Sequence, residues 1–161
     1  MANKVYMHEE TAVTWKSSGG TELMTPTSLA SGAGRQGALH DFGTGARSRR
    51  GVLRVWFKPG ATRVVGQLVR IYIAGGDGTH YDNDDGTGDI AVSSIDKLRN
   101  LKPVGSISID ENAAVEMGAS WDLEISDRYW APVEWNESAN PLSATAGDFG
   151  AEWIPTPDEL Q

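Results

Sequence analysis

The chain has 161 residues, no cysteine, a formal net charge of −8 and a pI near 4.8. That length suits a single domain, 1–161, with a real core; the acidity argues against a nucleic-acid partner, because neutralising phosphates takes clustered Lys and Arg. The missing thiols exclude disulfides and Cys-based zinc or nucleophile sites, and no apolar run approaches the ~20 residues that cross a membrane.

Nineteen glycines and six tryptophans are both high for this length. Together they suit an all-β fold, in which glycine serves turns and large aromatics fill the space between sheets. The N-terminus, MANKVYMHEETAVTWK, lacks a charged segment followed by an apolar one, so the expectation is a chain made without a secretory signal, in the cytoplasm.

In chain order, Thr11–Lys16 is a weak strand candidate. Residues 17–51 carry eight glycines and little hydrophobic periodicity after Leu29, and read as a long irregular arm. Unstructured segments of that length are uncommon inside compact domains, so the arm is expected to order on a partner. Within it, Gly32–Gly37 matches G-x-G-x-x-G. Neither the preceding strand nor the following helix that a dinucleotide site needs is predicted, so the match carries no nucleotide assignment. Arg47, Arg49 and Arg50 form the one basic cluster, a candidate contact for an acidic protein surface.

Strict alternation then predicts strands. In VLRVWFK, Leu53, Val55 and Phe57 share one face and Arg54, Trp56 and Lys58 the other. Val69, Ile71 and Ile73 alternate with Leu68, Arg70 and Tyr72; Ile107 and Ile109 with Ser106, Ser108 and Asp110; Trp121, Leu123 and Ile125 with Asp122, Glu124 and Ser126. Tyr129, Ala131, Val133 and Trp135 line one face of a further strand, whose Pro132 points to an edge or a bulge. Val64–Gly66, Ala113–Met117 and Phe149–Ile154 are weaker candidates, and 155–161, with Pro155 and Pro157, reads as an extended tail. One short helix is predicted in SSIDKLRNL, capped by Ser93, with Ile95, Leu98 and Leu101 on one face. Closely spaced strands with glycine-rich turns give an all-β, jelly-roll-like β-sandwich with one short helix and a glycine-rich N-terminal arm.

The stretch HYDNDDGTGDI places Asp82, Asp84, Asp85 and Asp89 within eight residues, the oxygen-rich spacing that calcium favours. Counted from Asp82, however, position six is Thr87 and position twelve is Ser93, so the glycine and the bidentate glutamate of an EF-hand are both missing. The expectation is a surface loop, with an irregular calcium site as the alternative. The histidines His8, His40 and His80 lie in predicted termini or loops without a nucleophile motif. Asp122 with Glu124, and Glu134 with Glu137, are the carboxylate pairs a glycosidase would need, and read instead as the polar side of the alternation. No catalytic residue and no cofactor is expected.

Four segments, DGTHYDND (77–84), SSIDKLRNL (93–101), RYWAPV (128–133) and NPLSATAGD (140–148), resemble small structural proteins of tailed bacteriophages related to capsid decoration, or cement, proteins. The resemblance implies a jelly-roll subunit without enzyme activity, oligomeric and favouring a homotrimer. It further implies attachment to the major capsid protein on the outer capsid surface of the virion after synthesis in the host bacterial cytoplasm. A phage tail or fibre component is one alternative. A carbohydrate-binding β-sandwich, with Trp130 or Trp135 as the sugar platform, is another.

Overall fold

A computed structural model describes residues 10–45, 47–83, 86–110 and 115–156. Two sheets pack face to face. The first contains β1 (Val13–Lys16), β2 (Glu22–Leu23), β5 (Arg50–Phe57), β9 (Met117–Glu124) and β11 (Phe149–Pro155), in the order β2-β1-β11-β5-β9. The second contains β3 (Ala33–Gln36), β6 (Leu68–Gly76), β7 (Ile90–Val92), β8 (Lys102–Ser108) and β10 (Tyr129–Asn136), in the order β7-β3-β10-β6-β8, with β4 (His40–Asp41) also paired to β10. Setting aside the short β2, β4 and β7, the other eight strands run β1-β11-β5-β9 against β3-β10-β6-β8. That arrangement is the strand order of a jelly roll.

The alternation places the core. Leu53, Val55 and Phe57 of β5, and Val69, Ile71 and Ile73 of β6, are almost wholly buried between the sheets, as are Ile107, Ile109 and Ile125. Trp130 stands at the centre: its ring lies 5.1 Å from Trp15 and 5.2 Å from Trp153 across the sandwich, and stacks on Phe42 at 5.0 Å. Such aromatic pairs add to the burial of their large surfaces. The 3-10 helix Ile95–Asn100 is capped by Ser94 rather than Ser93: the Ser94 hydroxyl accepts the Asp96 N–H at 3.2 Å. Leu98 and Leu101 are buried on the outer face of the second sheet, with Tyr72, Ala74, Val92, Val133 and Trp135, whereas Ile95 is 62% exposed. This second core seals one outside face of the sandwich with the chain's own residues 90–101.

Three expectations are corrected. The stretch 17–51 is not a free arm: it holds β2, β3, β4 and the start of β5, and Met24, Leu29 and Gln36 are buried. Its glycines are the reason. A side chain on Gly34 would meet Trp135 at 2.9 Å, and one on Gly37 would meet Trp15 at 2.7 Å, so the backbone itself is the packing surface. The same fit recurs at Gly51 under Trp153, Gly105 under Trp121 and Gly150 under Trp56, so five of the six tryptophans lie against a glycine. The two unusual counts in the composition are one structural device.

Pro132, second, lies in a central strand, not at an edge. Its carbonyl accepts the Gly37 N–H at 3.0 Å, so its ring nitrogen faces the gap where β3 has ended and β4 has not begun, and no ladder bond is lost. Third, the tail begins as strand: Pro155 is in register with Gly51, and the Thr156 N–H donates to the Arg50 carbonyl. Val64–Gly66 is a turn, and residues 113 and 114 of the weak candidate Ala113–Met117, like 157–161, lie outside the described residues.

Candidate functional site

The aspartate loop lies between β6 and β7. Asp82 accepts the Gly75 N–H at 3.0 Å, holding the loop to the end of β6. Asp89 is gripped by Arg35, Nε to Oδ1 at 2.6 Å and Nη2 to Oδ2 at 2.8 Å, and by the Thr25 hydroxyl at 2.5 Å. Burial by itself would raise the Asp89 pKa, but the hydrogen bonds from Arg35 and Thr25 outweigh it and hold the carboxyl below its ordinary value. Asp84 and Asp85 lie outside the described residues. Between the strands, the Asn83 amide donates to Gln36 Oε1 at 2.8 Å, and the Gln36 amide donates to the Gly86 carbonyl at 3.1 Å. The polar residues seen here fasten the loop to β3, and among the described residues no group of three His, Asp or Glu is gathered around a common point for a metal.

A cation at Asp89 would have to displace the Arg35 guanidinium. Calcium is therefore expected to shift the melting temperature by less than about 1 °C, and a chelator to do no more, because only a ligand that binds the native fold raises its stability. A rise of several degrees on adding calcium, reversed by EDTA, would overturn this.

The basic cluster is divided. Arg47 turns inward over the Phe42 ring and donates to the carbonyls of Ser126 and Asp127 at 2.9 and 2.8 Å, stitching its loop to the β9–β10 turn. Arg49 and Arg50 are exposed, and Arg50 stands 3.7 Å from Glu124. Nearby, Arg128 makes a two-pronged pair with Asp41 at 2.6 and 2.7 Å, which holds the Asp41 carboxyl far below the usual carboxylate range.

The carboxylate pairs separate as well. Glu134 is wholly buried on the Trp130 side of β10, opposite Ile71, and neither of its oxygens has a hydrogen-bond partner. Burial pushes its pKa up to about 8. Glu137 sits at the surface, paired with Arg70 at 2.7 Å. Among the histidines, His40 contacts Glu22 at 2.8 Å, His80 is exposed beside Asp77, and His8 lies outside the described residues.

Among the described residues, the large exposed apolar side chains are Leu23, Val64, Val65, Ile95 and Val115. At one end of the sandwich, the β5–β6 turn is bonded to the end of β8 through Gly66 and Ile109 and through Ile109 and Gln67, and it carries Val64 and Val65, 46% and 61% exposed; Val115, before β9, is 51% exposed. On the outer face of the first sheet, which no other part of the described chain covers as residues 90–101 cover the second, Trp56 lies over Gly150. Trp130 and Trp135, the sugar-platform candidates, are instead buried to 2% and 4% exposure. The signal for Trp56 was in the alternation itself, which put a tryptophan on the polar side of β5. Compared with models of known protein families, with curated proteins and with solved structures, the chain finds no match.

Proposed function

We propose that the protein is a structural component of a bacteriophage virion that attaches to the major capsid protein and stabilises the shell. The observation that supports this reading best is the valine-bearing end of the sandwich. Adjacent exposed apolar residues on one turn are what a protein–protein contact buries, with Val64 and Val65 as the anchors. The sequence resemblance in 69–155 points the same way. Closed symmetry is usual in homo-oligomers, and a trimer matches the threefold positions of an icosahedral shell.

The test is to strip the protein from particles and add back recombinant chain. Copy number close to that of the major capsid protein is expected, with Val65→Asp lowering affinity for stripped shells at least about tenfold while melting as the native protein does, a loss of about 1.4 kcal/mol or more. A few copies per particle would place the protein in the tail, and undiminished binding by the variant would remove the valine end as the docking surface.

A further inference from the structure

We infer that Arg35 is shared between two carboxylates, Asp89 at the rim of the sandwich and Glu134 inside it, and that ionisation of Glu134 draws the guanidinium inward and loosens the rim. Arg35 and Glu134 are directly paired across β3 and β10, so their side chains leave the same face of the sheet. The Cβ atoms of such a pair stand about 5 Å apart, well within the reach of an arginine. In the structure the guanidinium turns the other way. Its Nε and Nη2 donate to the Asp89 carboxylate at 2.6 and 2.8 Å, and Nη2 also donates to the Asp89 carbonyl at 3.0 Å. Glu134, whose neighbour on β3 carries this cation, is left with neither oxygen bonded. The rim contact closes one side of the sandwich, where β2 and β7 are the edge strands of their sheets. Thr25, just after β2, donates its N–H and hydroxyl to Asp89, just before β7, at 3.1 and 2.5 Å.

The surroundings of Glu134 single out Arg35 as its partner. On β6 its neighbour is Ile71, and across the core β1, β5 and β11 bury Val13, Trp15, Leu53 and Trp153. Among the described residues Glu134 is the one buried carboxylic acid, and no Lys, Arg or His is buried. The phenol of Tyr72 belongs to the opposite face of the sheet, with Leu98 and Leu101. While Glu134 holds its proton the interior is neutral, and Arg35 stays with Asp89. Once the proton leaves, near pH 8, an unpaired charge in the core costs far more than one at the rim, where Arg35 is a quarter exposed and Thr25 still donates two hydrogen bonds to Asp89. Arg35 then pairs with Glu134, so the rim loses its cation above about pH 8 and regains it below. This device belongs to the sandwich itself and stands apart from capsid attachment, which uses the valine end.

In the full chain, glutamate labelled with carbon-13 at the carboxyl would report the Glu134 titration midpoint by NMR. Removing the competing carboxylate frees Arg35, so Asp89→Asn is expected to lower that midpoint by at least about one pH unit, and to leave it unmoved when Arg35→Met is also present. Amide exchange, corrected for its intrinsic pH dependence, gives the second reading. Between about pH 7 and pH 9 the protection of the Thr25 N–H should fall at least roughly tenfold further than that of Val55 in β5, and the two should keep step in Glu134→Gln. If Asp89→Asn does not fold, the exchange result decides alone. A midpoint unmoved by Asp89→Asn, or a shift that survives Arg35→Met, would overturn the inference. So would Thr25 protection that keeps step with Val55 in the native protein, or parts from it equally in Glu134→Gln.

Discussion

Between pH 4.5 and pH 8 the protein is expected to lose stability steadily, and replacing Glu134 by leucine is expected to abolish most of that loss. The Glu134 carboxyl is fully buried among apolar side chains, with no partner for either oxygen. The groups paired across β10 are Ile71 on β6 and Arg35 on β3, and the Arg35 guanidinium is committed to Asp89. Burial alone therefore raises its pKa from 4.5 to about 8. The sign follows. In this window the folded chain holds a proton that the unfolded chain has released, so rising pH favours unfolding, until the folded carboxyl ionises near pH 8 and the slope vanishes. A gap of this size corresponds to about 5 kcal/mol, reduced by whatever relaxation the charged form finds.

Asp89 and Asp148 act in the opposite direction. Their pKa values are lowered, Asp89 against its burial by the Arg35 and Thr25 hydrogen bonds and Asp148 chiefly by the Lys58 hydrogen bond, so their contribution is present above the ordinary aspartate pKa of 3.8 and is lost as pH falls below it. The expected profile thus peaks near pH 4 to 5, as urea denaturation at fixed temperature across pH 3 to 9 would show. Glu134→Leu should flatten the alkaline side and gain about 2 to 4 kcal/mol at pH 8; Glu134→Gln should flatten it with a smaller gain, since a buried amide without partners remains. A native protein equally stable at pH 5 and pH 8 would show that Glu134 finds a partner or water.

Deleting residues 31–51 is expected to abolish cooperative folding. The sequence reads this stretch as part of an irregular arm, 17–51, that orders on a partner. In the structure it supplies β3, the neighbour of β10 between Val133 and Asn136, and β4 beside Tyr129 and Trp130. It also carries Gly51, on whose backbone Trp153 packs, and Phe42, which stacks on Trp130. Removing it exposes one side of a central strand and opens the aromatic centre of the core. A single change makes the same point more gently: Gly34→Val should lose roughly 1 to 3 kcal/mol by forcing Trp135 and the β10 backbone away. Circular dichroism and a thermal melt of the deletion variant are the measurement. A sigmoidal transition with native-like strand content would mean that 31–51 is dispensable after all.

The strands with ordinary side chains were legible because a half-buried strand must alternate. Leu53, Val55 and Phe57, or Val69, Ile71 and Ile73, name their buried face without any knowledge of the partner, and the count of such segments with glycine-rich turns is enough for a two-sheet sandwich. Periodicity fails where the partner supplies the side chain. β3 reads as polar and glycine-rich because Trp135 and Trp15 occupy the space that its own side chains would fill, and only the pairing of β3 with β10 reveals it. β10 is obscured differently: with sheet residues on both flanks and a core on each face, its Glu134 looks like the solvent side of an alternation and is in fact the interior.

The candidate surfaces divide along the same line. The polar position of Trp56 on β5 could be read from the alternation, but which tryptophans are buried depends on which face of the second sheet residues 90–101 cover. Local spacing does fix the chemistry within reach of one strand or one turn: the alternating faces, the departure of HYDNDDGTGDI from an EF-hand, the absence of thiols. Contacts between residues distant in the chain decide the rest: Arg35, 54 residues before Asp89, occupies the aspartate that the loop sequence offered to calcium, and Gly150, 94 residues after Trp56, is what lays that indole on the surface. Sequence neighbours set which groups are present, and only the packing of distant strands sets which of those groups are already satisfied.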